Sequence, residues 1–216
     1  MSLVRVSTSK DRLRVGVLVS GGGSNLQAFL LRAAEVDAAF EVSCVVSNRP
    51  GVFALERAER AQVPALVVDH KTFETRAAFE EALVEQLQEQ RVELVVLAGF
   101  MRVLSDHFLA AFPFLVVNVH PALCPSFPGM HAARQALEAG VRVTGCTVHL
   151  VDHGVDTGPI LEQSVVLVDD DENEASLTQK IQAQEHKLFP KVVQNVALGR
   201  YDFDEKHRIR RRPSPV

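Results

Sequence analysis

Asn118 and His120 stand two residues apart where an apolar run, Val117–Pro121, comes to its end. Alternate side chains of a strand point to the same face, so we expect the carboxamide and the imidazole to lie side by side. The amide NH₂ can hold a carbonyl oxygen as it becomes an oxyanion, and the imidazole can pass a proton near neutral pH. The pattern N-x-H-P alone is equally consistent with a structural histidine that binds the backbone.

One acidic residue, Asp156, lies in a short segment with the composition of a sharp turn. The segment HGVDTGP, residues 153–159, separates two apolar runs. Such a loop can direct the carboxylate toward the same end of the sheet, where it would stabilise an imidazolium or act as a base on an attacking amine. Considered alone, Asp156 is also explained as a residue that turn geometry favours.

A glycine-rich segment, SGGGSN at residues 20–25, joins the first apolar run to the first helical pattern. Glycines allow backbone N–H groups to converge, and a helix N-terminus adds a positive dipole end, so the segment predicts a phosphate-binding loop. No lysine follows as in a Walker loop, and Leu26 stands where a dinucleotide fingerprint has its third glycine. A single phosphate on a smaller ligand therefore fits best, and a tight turn without a ligand is the alternative.

The other polar residues do not suggest a nucleophile or a metal centre. Ser24 and Ser126 have no evident base as a neighbour. His149 and His153 are expected on a strand and in a loop rather than on one helix face, so their spacing is a weak metal signal. The chemistry that is left is the direct transfer of a small group through an oxyanion-like intermediate, without a metal.

Apolar runs rich in β-branched residues alternate with helical patterns along most of the chain. This alternation predicts an α/β fold with a parallel sheet and right-handed crossovers. After Gly140, two runs are separated by a loop alone, which predicts antiparallel neighbours. Ser24 is expected to cap the first helix. The predicted strands are residues 13–19, 42–46, 65–68, 94–98, 115–118, 145–151 and 160–168, and the later helices are 51–61, 72–90, 132–139 and about 175–198.

Length and composition indicate one globular domain. The chain has 216 residues, of which 47% are hydrophobic and 23% charged, as in ordinary soluble proteins. We expect a single domain at residues 12–203, with flexible termini at 1–11 and 204–216. No apolar run reaches the ~18 residues that a membrane span needs, and the N-terminus lacks the apolar core of a signal peptide. Three widely spaced cysteines favour a reducing cytoplasm.

The formal net charge of -4 conceals a strongly basic end, KHRIRRR at residues 206–212. The mildly acidic body argues against nucleic-acid or membrane binding, and we interpret the basic end as a solvated terminus. An RNA-binding protein that uses this tail is one alternative, and it predicts an affinity that falls steeply with salt. A nucleotide-binding module in which Arg49 meets an NADP phosphate is another.

Six segments taken in order resemble one known family. They are SGGGSNLQAFL, SNRPGVFALERA, VVLAGFMRVL, NVHPALCPSFPG, GCTVHLVDHGVDTGPIL and IQAQEH, and together they are similar to the folate-dependent phosphoribosylglycinamide formyltransferases over residues 13–201. The resemblance implies a formyltransferase fold, which is Rossmann-like, with a mixed seven-stranded sheet and helices on both faces. It also implies transfer of a formyl group from 10-formyltetrahydrofolate to the amine of glycinamide ribonucleotide in purine biosynthesis, by a monomer or homodimer that needs no metal.

The resemblance implies a role for individual residues. Asn118 matches an asparagine that binds the folate and holds the oxyanion, His120 matches the proton donor, and Asp156 matches the aspartate that assists this histidine. Cys124 and Ser126 depart from the family pattern. The positions that match ligand contacts are Gly23, Ser24, Asn25 and Glu185 for the ribonucleotide, and Arg76, Met101, Arg102, Val103, Leu104 and Asn118 for the folate.

Two related enzymes are alternatives within the same chemistry. Methionyl-tRNA formyltransferase shares the N-x-H-P region but usually carries a separate C-terminal RNA-binding domain. Formyltetrahydrofolate hydrolase would share the three central residues, but it uses water as the acceptor and usually has an extra N-terminal domain. The glycine-rich loop, which suits a mononucleotide, favours the ribonucleotide enzyme over both.

Overall fold

The centre of the protein is a seven-stranded sheet, in a computed structural model that describes residues 12–113, 115–203 and 209–212. The strands are β1 (Leu13–Val19), β2 (Phe40–Ser47), β3 (Ala65–Val67), β4 (Leu94–Leu97), β5 (Val116–His120), β6 (Val143–Leu150) and β7 (Ile160–Leu167). Their order is β3-β2-β1-β4-β5-β6-β7, with parallel pairs from β3 to β5 and antiparallel pairs from β5 to β7. The predicted α/β class with a mixed seven-stranded sheet is confirmed.

Helices cover both faces of this sheet. They are α1 (Ser24–Ala33), α2 (Phe53–Arg60), α3 (Arg76–Glu89), α4 (Asp106–Ala111), α5 (Ala132–Glu138) and α6 (Glu174–Ala197). Helices α1, α2, α5 and α6 pack on one face, and α3 and α4 pack on the other. Successive β1 residues, Val17 and Leu18, therefore enter different cores, which explains why this strand is continuously apolar in sequence.

Two local features differ from the sequence expectations. The N-cap of α1 is Gly23 rather than Ser24, and Gly23 has a left-handed backbone with φ 70°, a conformation that glycine adopts without steric cost. Helix α4 was not expected, because its 6 residues are too few to show a helical period. Helix α6 continues through Pro190 as one element, in agreement with the single helix predicted over about residues 175–198.

A small hairpin follows the last helix. Its strands are β8 (Tyr201–Phe203) and β9 (Ile209–Arg211), which pair antiparallel. The buried Tyr201 hydroxyl donates a hydrogen bond of 2.7 Å to Oε1 of Glu162 on β7. Residues 209–212 belong to the segment expected to be a flexible terminus, whereas residues 1–11, 204–208 and 213–216 lie outside the described residues. Within the described part of the chain, no helix has the length and apolar character of a membrane span.

The topology brings the loops after β1 and β4 and the loop between β6 and β7 close to the end of β5. β1 and β4 are neighbours, so the loops that follow them, residues 20–23 and 98–104, start side by side. β5 lies next to β4, and its last residue is His120. The loop between β6 and β7 leaves the sheet beside the start of β5, where the Val151 amide donates to the Val116 carbonyl, and it folds back toward His120.

Candidate active site

The buried ring of His120 is fixed between two oxygen atoms. Its Nδ1 lies 3.1 Å from Oδ2 of Asp156, and its Nε2 lies 2.7 Å from the carbonyl oxygen of Phe127. A carboxylate and a carbonyl can only accept hydrogen bonds, so a ring that satisfies both carries a proton on each nitrogen. The surroundings of His120 therefore suit a group that holds a positive charge and then releases a proton.

Asp156 reaches His120 from a loop whose backbone is unusual. Its φ is 56°, in the left-handed region that aspartate tolerates better than most residues. Its Oδ2 accepts a 2.8 Å hydrogen bond from the Gly129 amide. Burial alone would raise the pKa of Asp156, but the interactions with His149, with the Gly129 amide and with the His120 charge outweigh it and hold this pKa below its usual value. Asp156 is therefore a carboxylate at neutral pH.

His149 joins Asn118 to this pair. It lies opposite Asn118 in the antiparallel β5–β6 ladder, and its Nδ1 is 2.8 Å from the Leu150 carbonyl oxygen, so Nδ1 carries a hydrogen. Its Nε2 lies 3.3 Å from Nδ2 of Asn118 and 3.7 Å from Oδ1 of Asp156. Of the two N–H groups of the Asn118 amide, at most one contacts His149, so the other can bind a ligand.

The structure thus places His120 against Asp156 directly and Asn118 beside them through His149. Sequence reasoning considered His149 only as a weak metal ligand. Its position depends on the register between β5 and β6, which composition does not reveal. Among the residues that the structure describes, no group of three or more His, Cys, Asp or Glu side chains is arranged to hold a metal ion.

A cavity of about 520 Å³ opens beside the glycine-rich loop. All four residues expected to contact the ribonucleotide line it: Gly23, Ser24, Asn25 and Glu185. Nδ2 of Asn25 donates a 2.9 Å hydrogen bond to Oε2 of Glu185, and Oδ1 of Asn25 is buried without a partner among the described residues. A buried acceptor without a partner is costly unless a ligand supplies a donor.

Burial raises the pKa of Glu185, and the hydrogen bond from Asn25 opposes this shift only in part. A carboxyl whose pKa is higher in the folded state loses stabilisation as pH rises above its usual value of 4.5. We therefore expect the neutral variant Glu185→Gln to gain stability relative to the native chain when pH rises from 4.5 to 7. Thermal unfolding of both chains at the two pH values measures this, and an equal difference in Tm at both would contradict it.

A second cavity, of about 480 Å³, lies on the other side of β5. Its lining includes Asp156 and five of the six residues expected to contact the folate: Met101, Arg102, Val103, Leu104 and Asn118. Arg76, the sixth, lines neither cavity. Its guanidinium donates to Oε1 of the buried Glu80 at 2.9 Å and to the Val103 carbonyl at 2.6 Å, so Arg76 supports the loop that forms the wall.

Ser20 links the two cavities. Its buried Oγ accepts a 2.9 Å hydrogen bond from the Met101 amide and donates one of 2.6 Å to Oδ1 of Asn48. Met101 lines both cavities, and Ser20 begins the glycine-rich loop. One hydroxyl therefore holds the loop after β1 and the loop after β4 in a fixed relation, a role that the sequence did not indicate.

Comparisons with known proteins point to one family of enzymes. A family model described as formyl transferase matches residues 13–193. The chain is 40% identical over 193 residues to the phosphoribosylglycinamide formyltransferase of Bacillus subtilis (strain 168), a match that covers 89% of the chain and 98% of that protein. It is 47% identical over 193 residues to the trifunctional purine biosynthetic protein adenosine-3 of Drosophila melanogaster, but spans only 14% of that protein's length.

A solved structure shows the same fold. The crystal structure of glycinamide ribonucleotide transformylase 1 from Symbiobacterium toebii superposes with a TM-score of 0.91 at 44% identity, and the match covers 94% of this chain and 95% of that one. Together with the sequence relatives, it confirms the resemblance inferred from the six segments.

Proposed function

Because the chain belongs to the formyl transferase family, we propose that it transfers a formyl group from 10-formyltetrahydrofolate to the amine of glycinamide ribonucleotide, in de novo purine biosynthesis. The observation that carries the proposal is the pair of cavities, which differ in chemistry, share Met101 and flank the end of β5. Two bacterial relatives named phosphoribosylglycinamide formyltransferase match the chain over nearly their whole length. This match supports glycinamide ribonucleotide as the acceptor.

The cavity beside the glycine-rich loop suits the ribonucleotide. The loop and the start of α1 provide backbone N–H groups for a phosphate. Glu185 and Asn25 lie deeper in the same cavity, where a carboxylate and an amide oxygen can accept hydrogen bonds from sugar hydroxyls. We assign Gly23, Ser24, Asn25 and Glu185 to ribonucleotide binding on this basis.

The second cavity suits a folate. Apolar side chains, among them Leu97, Phe100 and Val151, line it and can pack on a flat ring, and Arg102 can pair with an anionic tail. When bound, 10-formyltetrahydrofolate supplies a formyl carbon on a nitrogen that can leave. The residues present therefore fit this co-substrate, and Arg76 acts by holding Val103 in the cavity wall.

The three central residues have separate tasks in the proposed transfer. The amine forms a bond to the formyl carbon, the bond from that carbon to the folate nitrogen breaks, and one proton moves from the amine to the leaving nitrogen. Asn118 donates its free amide N–H to the oxyanion of the tetrahedral intermediate. His120 also stabilises this oxyanion and gives its Nε2 proton to the leaving nitrogen, which requires its bond to Phe127 to be exchanged for one to the substrate.

Asp156 assists this transfer through His120. Its carboxylate stabilises the imidazolium before the proton leaves, and it can accept the proton of the amine through a water molecule. These steps use side chains and one water molecule, so the proposal includes no metal.

The proposal also includes a cytoplasmic location, since Cys44, Cys124 and Cys146 are free thiols, as in a reducing compartment. It includes no nucleic-acid or membrane partner. The oligomeric state that we propose is a monomer or a homodimer.

An absorbance assay with 10-formyltetrahydrofolate tests the proposed reaction. The purified chain is incubated with the folate in the presence and absence of glycinamide ribonucleotide. We expect turnover only when the ribonucleotide is present. Turnover without it would indicate a hydrolase, and no turnover under either condition would refute the proposal.

A further inference from the structure

We infer that Arg57 is a binding determinant for the ribonucleotide's phosphate, because it fixes the shape of the glycine-rich loop and supplies the positive charge of that cavity. Arg57 lies on α2, outside the loop and outside the residues assigned above. The inference rests on the proposed function, and it adds a residue and a physical cause for the preference for a phosphorylated acceptor.

Two carbonyl groups of the loop are held by α2. The Gly21 carbonyl accepts a 3.2 Å hydrogen bond from the Ala54 amide, and the Gly22 carbonyl accepts one of 2.9 Å from Nε of Arg57. In a planar trans peptide, the N–H of the next residue points opposite to the carbonyl. Both contacts therefore turn the Gly22 and Gly23 N–H groups away from α2, where they are free to bind an anion.

The guanidinium of Arg57 is itself held firmly. Its Nη1 donates a 2.7 Å hydrogen bond to Oε1 of Gln27 on α1, and its central carbon lies 4.6 Å from the centroid of the Phe53 ring. A side chain anchored at three points loses little further entropy when a ligand binds. Arg57 is thus preorganised at the junction of α1, α2 and the loop.

Arg57 also dominates the charge of the cavity. Among the described residues that line it, Arg57 is the single cation and Glu185 the single carboxylate. A phosphate brings negative charge into a site whose effective dielectric constant is lower than that of water, so one fixed cation contributes more there than on an open surface.

Helix α2 packs so closely on the glycine-rich loop that there is no space for a side chain at Gly23. Gly23 has a φ of 70°, and a Cβ at this position would lie 2.7 Å from Cβ of Ala54. Both the conformation and the space therefore require glycine. Because α2 and the loop are in such close contact, loss of the Arg57 bond to Gly22 acts directly on the phosphate-binding amides.

The test compares Arg57→Gln with Arg60→Gln, using glycinamide ribonucleotide and its phosphate-free riboside as acceptors. Arg60 is a matched control, because it lies on the same helix, stacks on Phe53 at 5.4 Å and pairs with Glu56, but does not line the cavity. In Arg57→Gln, we expect KM for the ribonucleotide to rise about tenfold or more, equivalent to ~1.4 kcal/mol, with kcat and the folate KM unchanged. The kcat/KM for the riboside should not change in either variant.

Equal losses with the ribonucleotide and the riboside would show a merely structural effect and overturn the inference, as would an unchanged KM for the ribonucleotide. Calorimetric titration with ribose 5-phosphate gives a readout that does not depend on formyl transfer. The native chain and Arg60→Gln should bind it with the same affinity, and Arg57→Gln about tenfold more weakly. If the native chain formylates neither acceptor, the proposed function fails, and this titration still decides the role of Arg57.

Discussion

Replacing His120 with alanine is expected to lower kcat by at least about two orders of magnitude, since general acid–base help is typically ~10²–10⁴-fold. The variant removes the group that we propose as the proton donor and leaves Asn118 and the two ligand cavities in place. Steady-state kinetics at saturating concentrations of both substrates measures the loss. Circular dichroism and thermal unfolding establish that the variant is folded.

A matched control separates this effect from a general loss of stability. The His120 ring is buried against Phe127 and Asp156, so alanine leaves two acceptors without a partner. His120→Asn keeps a polar side chain in this space and should be equally inactive. His131→Asn changes an exposed histidine whose φ is 59°, a conformation that asparagine accepts, and it should retain normal kcat. Turnover near the native level in either His120 variant would remove the residue from its proposed role.

Much of the sheet could be predicted because its strands are buried on both faces. β1 has apolar residues at nearly every position, since it contacts α1 and α2 on one side and α3 on the other. The antiparallel pairing of β6 and β7 followed from the absence of a helix between them, whereas the antiparallel pairing of β5 and β6, which α5 connects, was not predicted. Short elements carry no comparable signal, which is why α4 was missed.

The candidate site was predictable where the residues are close in sequence or match a known family, and not where tertiary contacts place them. Asn118 and His120 could be paired from strand alternation alone. His149 enters through the β5–β6 register, and Arg57 through the packing of α2 on the glycine-rich loop. From the sequence, Arg57 resembles any solvated cation of an amphipathic helix. Arg76, expected at the folate, lines neither cavity and donates hydrogen bonds to Val103 and Glu80.

The two residues that contact the ring nitrogens of His120 have left-handed backbones. Phe127 has a φ of 54° and Asp156 one of 56°, and the left-handed region is costly for a bulky side chain such as phenylalanine. Strain of this kind persists only when the surrounding structure imposes it, and it is concentrated at functional sites. Here it turns a carbonyl and a carboxylate onto opposite nitrogens of one ring, an arrangement that fixes the orientation of the ring.

Replacing Asp156 with asparagine is the second change with a large expected effect, a loss of at least about two orders of magnitude in kcat. Asparagine has nearly the same shape and can still accept the hydrogen bond of the Gly129 amide, so the loop should fold as before. What disappears is the negative charge beside Nδ1 of His120 and the capacity to accept a proton from the amine. The measurement is kcat for both chains across a range of pH.

The lowered pKa of Asp156 determines how this loss depends on pH. A carboxyl with a depressed pKa is ionised above its usual value of 3.8 and loses its charge only as pH falls below it. The charge that Asp156→Asn removes is therefore present from about pH 5 to about pH 8, and native kcat should show no loss from protonation of Asp156 in this range. Asp106→Asn removes an exposed contact to His153 in the same loop and should leave kcat unchanged, because exposed ion pairs contribute little. A titration of the Asp156 carboxyl within this range, followed by carbon-13 NMR of the side chain, would show that Asp156 is largely protonated in the folded enzyme, and its proposed role as a carboxylate would then be wrong.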